Sequence, residues 1–360
     1  MKRIISLGIV SLIISVWANA QTEINPLKIN GYIETYYIYD FANPGNHTRP
    51  NFFYSFNRHN EVNLNLGYIQ AEYDNNKVRG KLALMTGNYA NANLSAETDL
   101  LKNIYEANVG VKLSGTNNLW IDAGIFASHI GFESAVGANC WNMTRSILAE
   151  NSPYFESGVK LSYTTNDGKW FLSGLILNGW QRIQRVDGNN TPALGHQITW
   201  MPNSKLTINS SSFIGNDSPD NVRKMRYFHN LYGIYQATES FGLTLGFDIG
   251  IQQKEKNSLT YDLWYAPVLL ARYTPNNTIA FAARTEFYAD KNGVIISTGT
   301  PNGFQTIGYS VNMDVRLTDN VLWRIEGRIL NSTKDMIFAN NNQSPTANNF
   351  FAGTSLSVKF

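Results

Sequence analysis

Apolar and polar positions alternate with a period of two along most of this chain. The final segment shows the pattern clearly, because mostly apolar residues occupy every second position, at Phe350, Ala352, Thr354, Leu356, Val358 and Phe360. The positions between them are mostly small or polar, as at Gly353, Ser355 and Lys359. A period of two predicts a β-strand with one apolar face and a second face directed at water or at a core.

Sixteen segments carry this pattern, and each is about 9 to 15 residues long, enough to cross a bilayer at a tilt. The predicted strands are 28–40, 61–73, 77–89, 104–114, 119–130, 156–165, 169–180, 193–201, 205–215, 226–238, 241–252, 260–274, 278–289, 306–317, 321–332 and 349–360. Seven short, turn-forming connections alternate with eight long ones. The arrangement predicts an all-β fold, a transmembrane antiparallel up-and-down β-barrel with short periplasmic turns and long extracellular loops.

Aromatic residues, 13% of the chain, cluster near the ends of the predicted strands. One group is expected near the short turns, at Trp120, Tyr163, Trp170, Trp200, Phe241, Tyr273, Trp323 and Phe360. A second group is expected near the long loops, at Tyr39, Tyr89, Tyr154, Tyr227, Tyr261 and Tyr288. A secreted β-sandwich would also show short alternating strands, but two aromatic bands match two membrane interfaces and favour the barrel.

The amino-terminus predicts export. Lys2 and Arg3 precede an apolar run, and Ala18-Asn19-Ala20 is a small-x-small cleavage site, so residues 1–20 read as a signal peptide. The expected mature protein is a single barrel domain, residues 21–360, located in the cell outer membrane. The sequence that follows the signal holds no apolar run long enough to predict a transmembrane helix.

Charge and cysteine content narrow the class further. Removal of Lys2 and Arg3 leaves 27 basic and 27 acidic residues, a balance that argues against a nucleic-acid partner. Cys140 is the single cysteine, so no intramolecular disulfide can form. The five histidines show no metal-ligand spacing, and we expect no metal and no cofactor.

Charged side chains occupy the face of several strands that cannot meet lipid, where Arg at the bilayer midplane costs about 2–4 kcal/mol. The predicted pore-lining residues are Arg79, Lys81, Asp248, Arg284, Glu286, Asp314, Arg316, Arg324, Glu326 and Arg328. Sixteen strands enclose a lumen too wide for side chains to fill, which favours a water channel. Mutual pairing of these charges in a plugged barrel is the alternative interpretation.

The connection 131–155 is the longest of the long loops. It carries Glu133, Arg145 and Glu150, which are the predicted constriction-loop residues. If this loop folds into the lumen, Glu133 and Glu150 would lie opposite basic residues of the wall and set up a transverse field. The same loop could instead simply cover the mouth.

A resemblance to a known family rests on short motifs in a fixed order. Trp120-Ile121-Asp122-Ala123-Gly124-Ile125-Phe126 leads into His129-Ile130-Gly131-Phe132-Glu133-Ser134, and then follow Ser152-Pro153-Tyr154, Gly158-Val159-Lys160-Leu161-Ser162-Tyr163 and Leu177-Asn178-Gly179-Trp180. This order resembles the OmpL-like β-barrel porins of Gram-negative outer membranes. The resemblance implies a porin, names no solute and brings no catalytic residues.

We therefore expect a passive channel for small hydrophilic solutes or ions, and not an enzyme. The expected partners are membrane lipids, lipopolysaccharide and the solutes themselves, with a homotrimer left open. The alternative function is a non-conducting barrel whose long loops serve adhesion or partner binding. A surface lipid hydrolase built on the Ser128-His129 dipeptide is a third hypothesis.

Overall fold

The computed structural model describes residues 26–341 and 343–360, and this part of the chain forms a closed antiparallel barrel of sixteen strands. The predicted fold class is confirmed. Each strand pairs with its neighbours in sequence, and the first and last strands close the barrel, with Tyr37 opposite Thr354. The predicted signal peptide, residues 1–20, lies outside the described residues.

The barrel strands correspond one to one with the predicted segments. They are β1 (Leu27–Asp40), β2 (Val62–Asp74), β3 (Val78–Thr86), β4 (Ile104–Lys112), β5 (Asn118–Ala127), β6 (Phe155–Thr164), β7 (Trp170–Leu177), β8 (Ala193–Asn203), β9 (Leu206–Gly215), β10 (Arg226–Gln236), β11 (Phe241–Gln253), β12 (Tyr261–Tyr273), β13 (Ile279–Asp290), β14 (Phe304–Thr318), β15 (Val321–Ser332) and β18 (Asn348–Lys359). The last long loop contains a hairpin that the sequence did not predict, formed by β16 (Phe338–Asn340) and β17 (Gln343–Thr346).

Three predicted strands extend too far, because the chain turns inward before their predicted ends. Strand β3 ends at Thr86, since Gly87 adopts a φ of 121° and the helix α1 (Asn88–Asn93) follows. A Cβ at Gly87 would lie 2.5 Å from the carbonyl oxygen of Asn65, so the turn depends on glycine here. Strand β5 ends at Ala127 and β7 ends at Leu177, where their loops begin.

The outward face of the barrel is apolar and exposed. Every second residue of most strands is an exposed Leu, Ile, Val or aromatic, and Val311 on β14 keeps 68% of its surface exposed. An apolar belt around a closed barrel is the form in which strands can lie in lipid, because all their backbone groups are paired. The described part of the chain contains no helix that is long and apolar enough to cross a membrane.

Four of the fourteen expected belt aromatics lie inside the barrel instead. Trp120 points inward and is only 6% exposed, because it shares the inward face of β5 with Asp122. Tyr89, Tyr154 and Tyr288 are also buried. The pattern of strand ends predicted their height along the barrel but not the face on which they lie.

Candidate functional site: the barrel lumen

The third long loop, residues 128–154, leaves the wall at the end of β5 and enters the lumen. His129 anchors its first turn, since one ring nitrogen lies 2.7 Å from a carboxylate oxygen of Glu156 and the other 2.8 Å from the carbonyl oxygen of Ser212. Burial lowers the pKa of His129, but the Glu156 carboxylate and the Ser212 carbonyl outweigh it, and the pKa is raised. Gly131 follows with a φ of 85°, which directs the chain across the barrel.

The loop crosses the lumen from one side to the other. The backbone N–H of Gly131 donates to the side chain of Asn230 on β10. The ring of Trp141 packs against Gly242 of β11, where a Cβ would meet it at 3.0 Å. Gly137 lies directly against the carboxylate of Glu34 on β1, which is far from β11 in the strand order. The loop therefore divides the interior.

The loop is hydrogen-bonded to the wall formed by β13, β14 and β15, which we call the fastened wall. Backbone N–H groups of Met143, Thr144 and Ile147 donate to the side chains of Asn312, Glu326 and Glu286, at 3.0, 2.6 and 2.7 Å respectively. In return, wall arginines donate to loop carbonyl oxygens: Arg324 to Gly137, Arg284 to Thr144 and Arg328 to Arg145, at 2.8, 2.7 and 2.9 Å. The wall side chains thus satisfy the backbone of a loop that has no sheet partner of its own.

The charges of the fastened wall also pair with one another. Arg284 lies 3.0 Å from Glu326, Arg324 lies 2.7 Å from Asp314, and Arg328 contacts Glu286. Each of these side chains is at most 4% exposed. Since buried ion pairs repay their desolvation only with good geometry and further hydrogen bonds, the loop backbone completes this network.

The three predicted constriction residues hold the loop in shape. Arg145 is fully buried and donates to three carbonyl oxygens of its own loop. Glu133 accepts from the backbone and hydroxyl of Ser146 and lies 3.9 Å from Arg284, so these two charges are in contact and not on opposite sides of an opening. The expected separation is wrong because the loop lies directly on the wall.

Glu150 joins the third loop to the first long loop, residues 41–61. Its carboxylate accepts the backbone N–H groups of Tyr54 and Ser55, at 2.9 and 3.1 Å. Burial raises the pKa of Glu150 to about 7, against the lowering effect of these hydrogen bonds and of Arg145. Neighbouring residues of the first loop, Phe52 and Phe53, pack into the same interior.

On the opposite side of the loop, the wall formed by β2 to β7 is open to a chamber, and we call it the chamber wall. This cavity has a volume of about 370 Å³ and reaches towards the short-turn end. Its charged lining residues are Glu72, Asp74, Arg79, Lys81, Glu106, Asp122 and Lys160. The Arg79 guanidinium lies 2.6 Å from Asp122 and 4.2 Å from the ring of Trp120. The amine of Lys160 lies over the ring of Phe126.

Two further cavities continue from the chamber towards the long loops. A cavity of about 200 Å³ shares Ala127 with the chamber and is lined by Tyr105 and Tyr154. A second cavity, of about 280 Å³, lies among the outer loops. The two cavities are neighbours, because Ser152 lines the outer one and the next residue, Pro153, lines the inner one.

A thin barrier separates these two cavities. Gln181 bridges it, because its side chain accepts the backbone N–H of Tyr154 at 2.8 Å and donates to the carbonyl oxygen of Asn93 at 3.2 Å. Within the described ranges, the hydroxyl of Tyr154 and the side-chain oxygens of Asn93 and Asn151 are buried without a hydrogen-bond partner. The barrier is therefore polar and incompletely paired.

The ten predicted pore-lining residues separate into distinct environments. Six of them, Arg284, Glu286, Asp314, Arg324, Glu326 and Arg328, point inward but are covered by the loop. Asp248 is buried against Asn230. Arg79 and Lys81 line the chamber, and Arg316 is exposed near the short turns.

Sequence reasoning missed several chamber residues. Asp122 and Lys160 lie directly opposite each other on β5 and β6. Both sit between outward-facing residues, as Lys160 does between Val159 and Leu161, so the same period of two could have identified them. Gln181 and Tyr154 lie outside the strands, where no periodic signal exists.

The dipeptide Ser128-His129 does not form a lipid-facing site. His129 is 4% exposed and points into the barrel interior, bound to Glu156. The lipid hydrolase interpretation of this dipeptide is therefore wrong. Cys140 is a buried free thiol in the third loop, and burial raises its pKa. No group of His, Cys, Asp and Glu in the described residues has an arrangement that could hold a metal ion.

A closed sixteen-strand barrel with an apolar belt and a polar, loop-divided lumen is the architecture of outer-membrane porins. A family comparison makes the assignment specific: residues 26–360 match the model of the family described as putative beta-barrel porin-2, OmpL-like. The chain belongs to this family, as its motifs indicated. No curated protein matches the chain in sequence.

Solved structures show the same fold at low identity. The outer membrane channel DcaP of Acinetobacter baumannii aligns with a TM-score of 0.60 and 10% identity, covering 93% of this chain and 97% of the other. An anion-selective porin from Comamonas acidovorans aligns with a TM-score of 0.59 and 8% identity, covering 93% of this chain and 99% of the other. A trimer form of OmpT from Vibrio cholerae aligns with a TM-score of 0.59 and 9% identity, again covering 93% of this chain and 99% of the other. Such likeness concerns the fold alone.

Proposed function

We propose that this porin is a passive diffusion channel for small hydrophilic solutes, and that the solutes pass between the third loop and the chamber wall. The observation that carries this proposal is the series of three cavities on that side of the loop. On the fastened wall the inward charges are buried under the loop. A cavity of about 440 Å³ at the outer end of β14 lies among the outer loops and is lined by Phe304, Ile296 and Ile337, but by none of these charges.

The barrier at Gln181 interrupts this route between the inner and the outer cavity. Its buried, unpaired polar atoms support the proposal, since such groups are normally satisfied by protein or by water. Breathing of the outer loops by a small distance would join the two cavities. The third loop itself would remain in place on the fastened wall.

The chamber charges predict weak ion selectivity. Arg79, Lys81 and Lys160 are balanced by acidic residues in the same lining, and Arg79 is already paired with Asp122. Anion selectivity in the Comamonas porin is a property of that protein; for this chain we propose a nearly non-selective pore in which Lys160 is the principal modifiable charge.

The test is single-channel recording of the refolded protein in a planar bilayer, combined with thiol modification. A Cys140→Ser background removes the native thiol, and Lys160→Cys then places a thiol in the chamber. We expect steady current steps that fall when a charged methanethiosulfonate reacts. The matched control is Asn312→Cys, which is inward-facing but covered by the loop and should not react.

The outcomes separate the function from the route. A well-folded barrel that passes no current would contradict the channel function. Current that is insensitive to reagent at Lys160→Cys but blocked at Asn312→Cys would place the passage along β14 instead.

A second candidate function, a non-conducting scaffold for adhesion, is favoured by one observation. The interior side chains Phe52, Phe53 and Phe56 of the first loop are at most 5% exposed, so the loops form a packed plug. Absence of current together with binding of the long loops to a partner would support it.

We also propose the finer assignments of location and assembly. The family and the fold point to the outer membrane, and we propose that cleavage of the signal peptide after Ala20 delivers the chain there. Lipids and lipopolysaccharide would contact the outer belt. A homotrimer is proposed by analogy with the trimer form of the Vibrio protein.

A further inference from the structure

A cluster of polar side chains that includes two histidines interrupts the apolar outward face of the barrel on β8, β9 and β10. On β8, His196 lies between Leu194 and Ile198, which are 50% and 41% exposed and point into the lipid region. On β10, His229 lies between the outward-facing Tyr227 and Leu231 in the same way. Both histidines therefore face the membrane.

Strand β9 completes the cluster. Ser210 and Ser212 alternate with Ile208 and Ile214, so both hydroxyls also point outward. Ser212 lies opposite His196 on one side and opposite His229 on the other. We call the four side chains of His196, Ser210, Ser212 and His229 the polar patch.

The polar patch is only partly satisfied by itself. The hydroxyl of Ser212 is hydrogen-bonded to Nδ1 of His196, and that of Ser210 lies 3.4 Å from Nε2 of His229. The two rings lie 6.1 Å apart. In the described part of the chain, neither the Nε2 of His196 nor the Nδ1 of His229 has a further hydrogen-bond partner.

The location makes a lipid environment unfavourable for these groups. The patch lies between Tyr227 and Tyr235, the outward aromatics near the two ends of β10, and therefore within the apolar belt. Polar residues at this depth normally face protein, and hydrogen bonds across an interface satisfy them. On the outward face of β13, by contrast, Thr285 is the single polar side chain between Phe281 and Phe287.

Two features of the surroundings favour close approach of another barrel. Gly174 lies beside His196 and has open space where a Cβ would stand. Gly327, on the far side of the barrel, has the same open space but, among the described residues, no polar cluster beside it. The adjoining strand β7 has eight residues and is the shortest of the described barrel strands. A short hydrophobic wall is mismatched to the bilayer, and association is one way to relieve the mismatch.

We propose that the outward face of β8, β9 and β10 is the surface at which copies of this chain associate in the membrane. A second copy fits this surface because imidazole and hydroxyl groups both donate and accept, so the patch can complement itself or the same groups in a neighbour. A fixed-charge partner would find no counter-charge in the patch. This inference goes beyond the channel function and does not depend on it.

The experiment measures the mass of the full-length exported protein, extracted from outer membranes in mild detergent, by native mass spectrometry. We expect wild type to run as an oligomer and Ser212→Trp to run as single barrels. The matched control, Val311→Trp, places the same ring on the exposed outward face of β14 and should remain oligomeric. A second variant, His196→Leu with His229→Leu, removes the polar groups without bulk and should also dissociate, whereas Thr285→Leu should not.

Three results would overturn the proposal. A monomeric wild type, or an oligomer unaffected by both patch variants, would exclude this face as the interface. Fatty acid release from phosphatidylethanolamine vesicles by wild type, lost in Ser212→Ala, would instead assign the Ser212 and His196 pair to lipid hydrolysis.

Discussion

The fastened wall and the chamber wall carry the same kinds of charged residue but differ in what surrounds them. On the fastened wall, Arg284, Glu326 and Arg328 are at most 3% exposed and bind the backbone of the third loop. On the chamber wall, Lys81 keeps 36% of its side chain exposed and lies only within 3.9–4.0 Å of its acidic neighbours. An inward-facing charged side chain therefore binds the loop backbone where the third loop covers it, and faces water where the loop does not.

This difference also explains how the lumen is kept asymmetric. Buried ion pairs are costly to break, because removal of one partner leaves an uncompensated charge. Exposed ion pairs contribute little, with a median of about 0–1 kcal/mol. The buried arginines and carboxylates that bind the middle of the loop consequently lie on β13 to β15, and the space that the loop leaves lies along β2 to β7.

The largest effect is expected from breaking the fastened wall. Glu326→Ala removes the acceptor of the Thr144 backbone, the Thr144 hydroxyl and Arg284 together. We expect the free energy of unfolding to fall by about 3–5 kcal/mol, since Arg284 loses a buried partner, and the conductance to rise as the loop loosens. Urea unfolding of the refolded barrel and single-channel recording measure the two effects.

The control for this prediction is Glu106→Ala on the chamber wall. Glu106 faces inward, but its contact with Lys81 is long, at 3.9 Å. Its loss should cost less than about 1 kcal/mol. Equal losses of stability in the two variants would contradict the distinction between the walls.

The second effect concerns pH and the junction between the first and third loops. Burial raises the pKa of Glu150 from about 4.5 to about 7, so the folded protein holds this proton more tightly than the unfolded chain. The resulting stabilisation is complete below about pH 4.5 and is lost as the pH rises through 7. A shift of this size corresponds to about 3 kcal/mol.

Glu150→Gln tests this prediction because it keeps an oxygen that can accept from Tyr54 and Ser55 but cannot ionise. We expect the free energy of unfolding of the variant to change less between pH 5 and 8 than that of wild type. The stability of the variant relative to wild type should therefore be greatest at the alkaline end of this range. Glu133→Gln, in the same loop, is the control. If the free energy of unfolding of wild type rose with pH in this range, the predicted direction of the Glu150 effect would be wrong.

The sequence predicted the barrel well because a strand with one face in lipid must alternate, and that rule acts locally on each segment. It could not predict which inward charges are covered, because the cover comes from far along the chain. Thr144 and Glu326, for example, are 182 positions apart. The inward position of Trp120 was predictable from its alternation with Asp122, whereas that of Tyr154 was not, since it lies in a loop.

The third effect concerns selectivity at the chamber wall. Lys160→Glu changes the local charge by two units, which at about 8 Å in water corresponds to about 1 kcal/mol for a passing monovalent ion. This energy changes the permeability of each ion about fivefold, upwards for cations and downwards for anions. We expect the reversal potential under a salt gradient to shift towards cation preference. Lys205→Glu makes the same change in an exposed turn and should shift it much less, because salt screens distant charges. Equal shifts in both variants would argue that ions do not pass close to Lys160.

The smallest effect is expected at the barrier between the inner and outer cavities. Gln181→Ala removes two hydrogen bonds, one from the Tyr154 backbone and one to Asn93. Because Gln181 is half-buried, each bond has a net value of about 0.5 kcal/mol, and the two together about 1 kcal/mol. A change of this size raises the population of the opened barrier about fivefold, since 1.4 kcal/mol is tenfold. Gln184→Ala, in the same loop but exposed, is the control. Longer open times in Gln181→Ala alone would place the gate at this bridge, whereas identical recordings from the two variants would place the resistance elsewhere along the chamber wall.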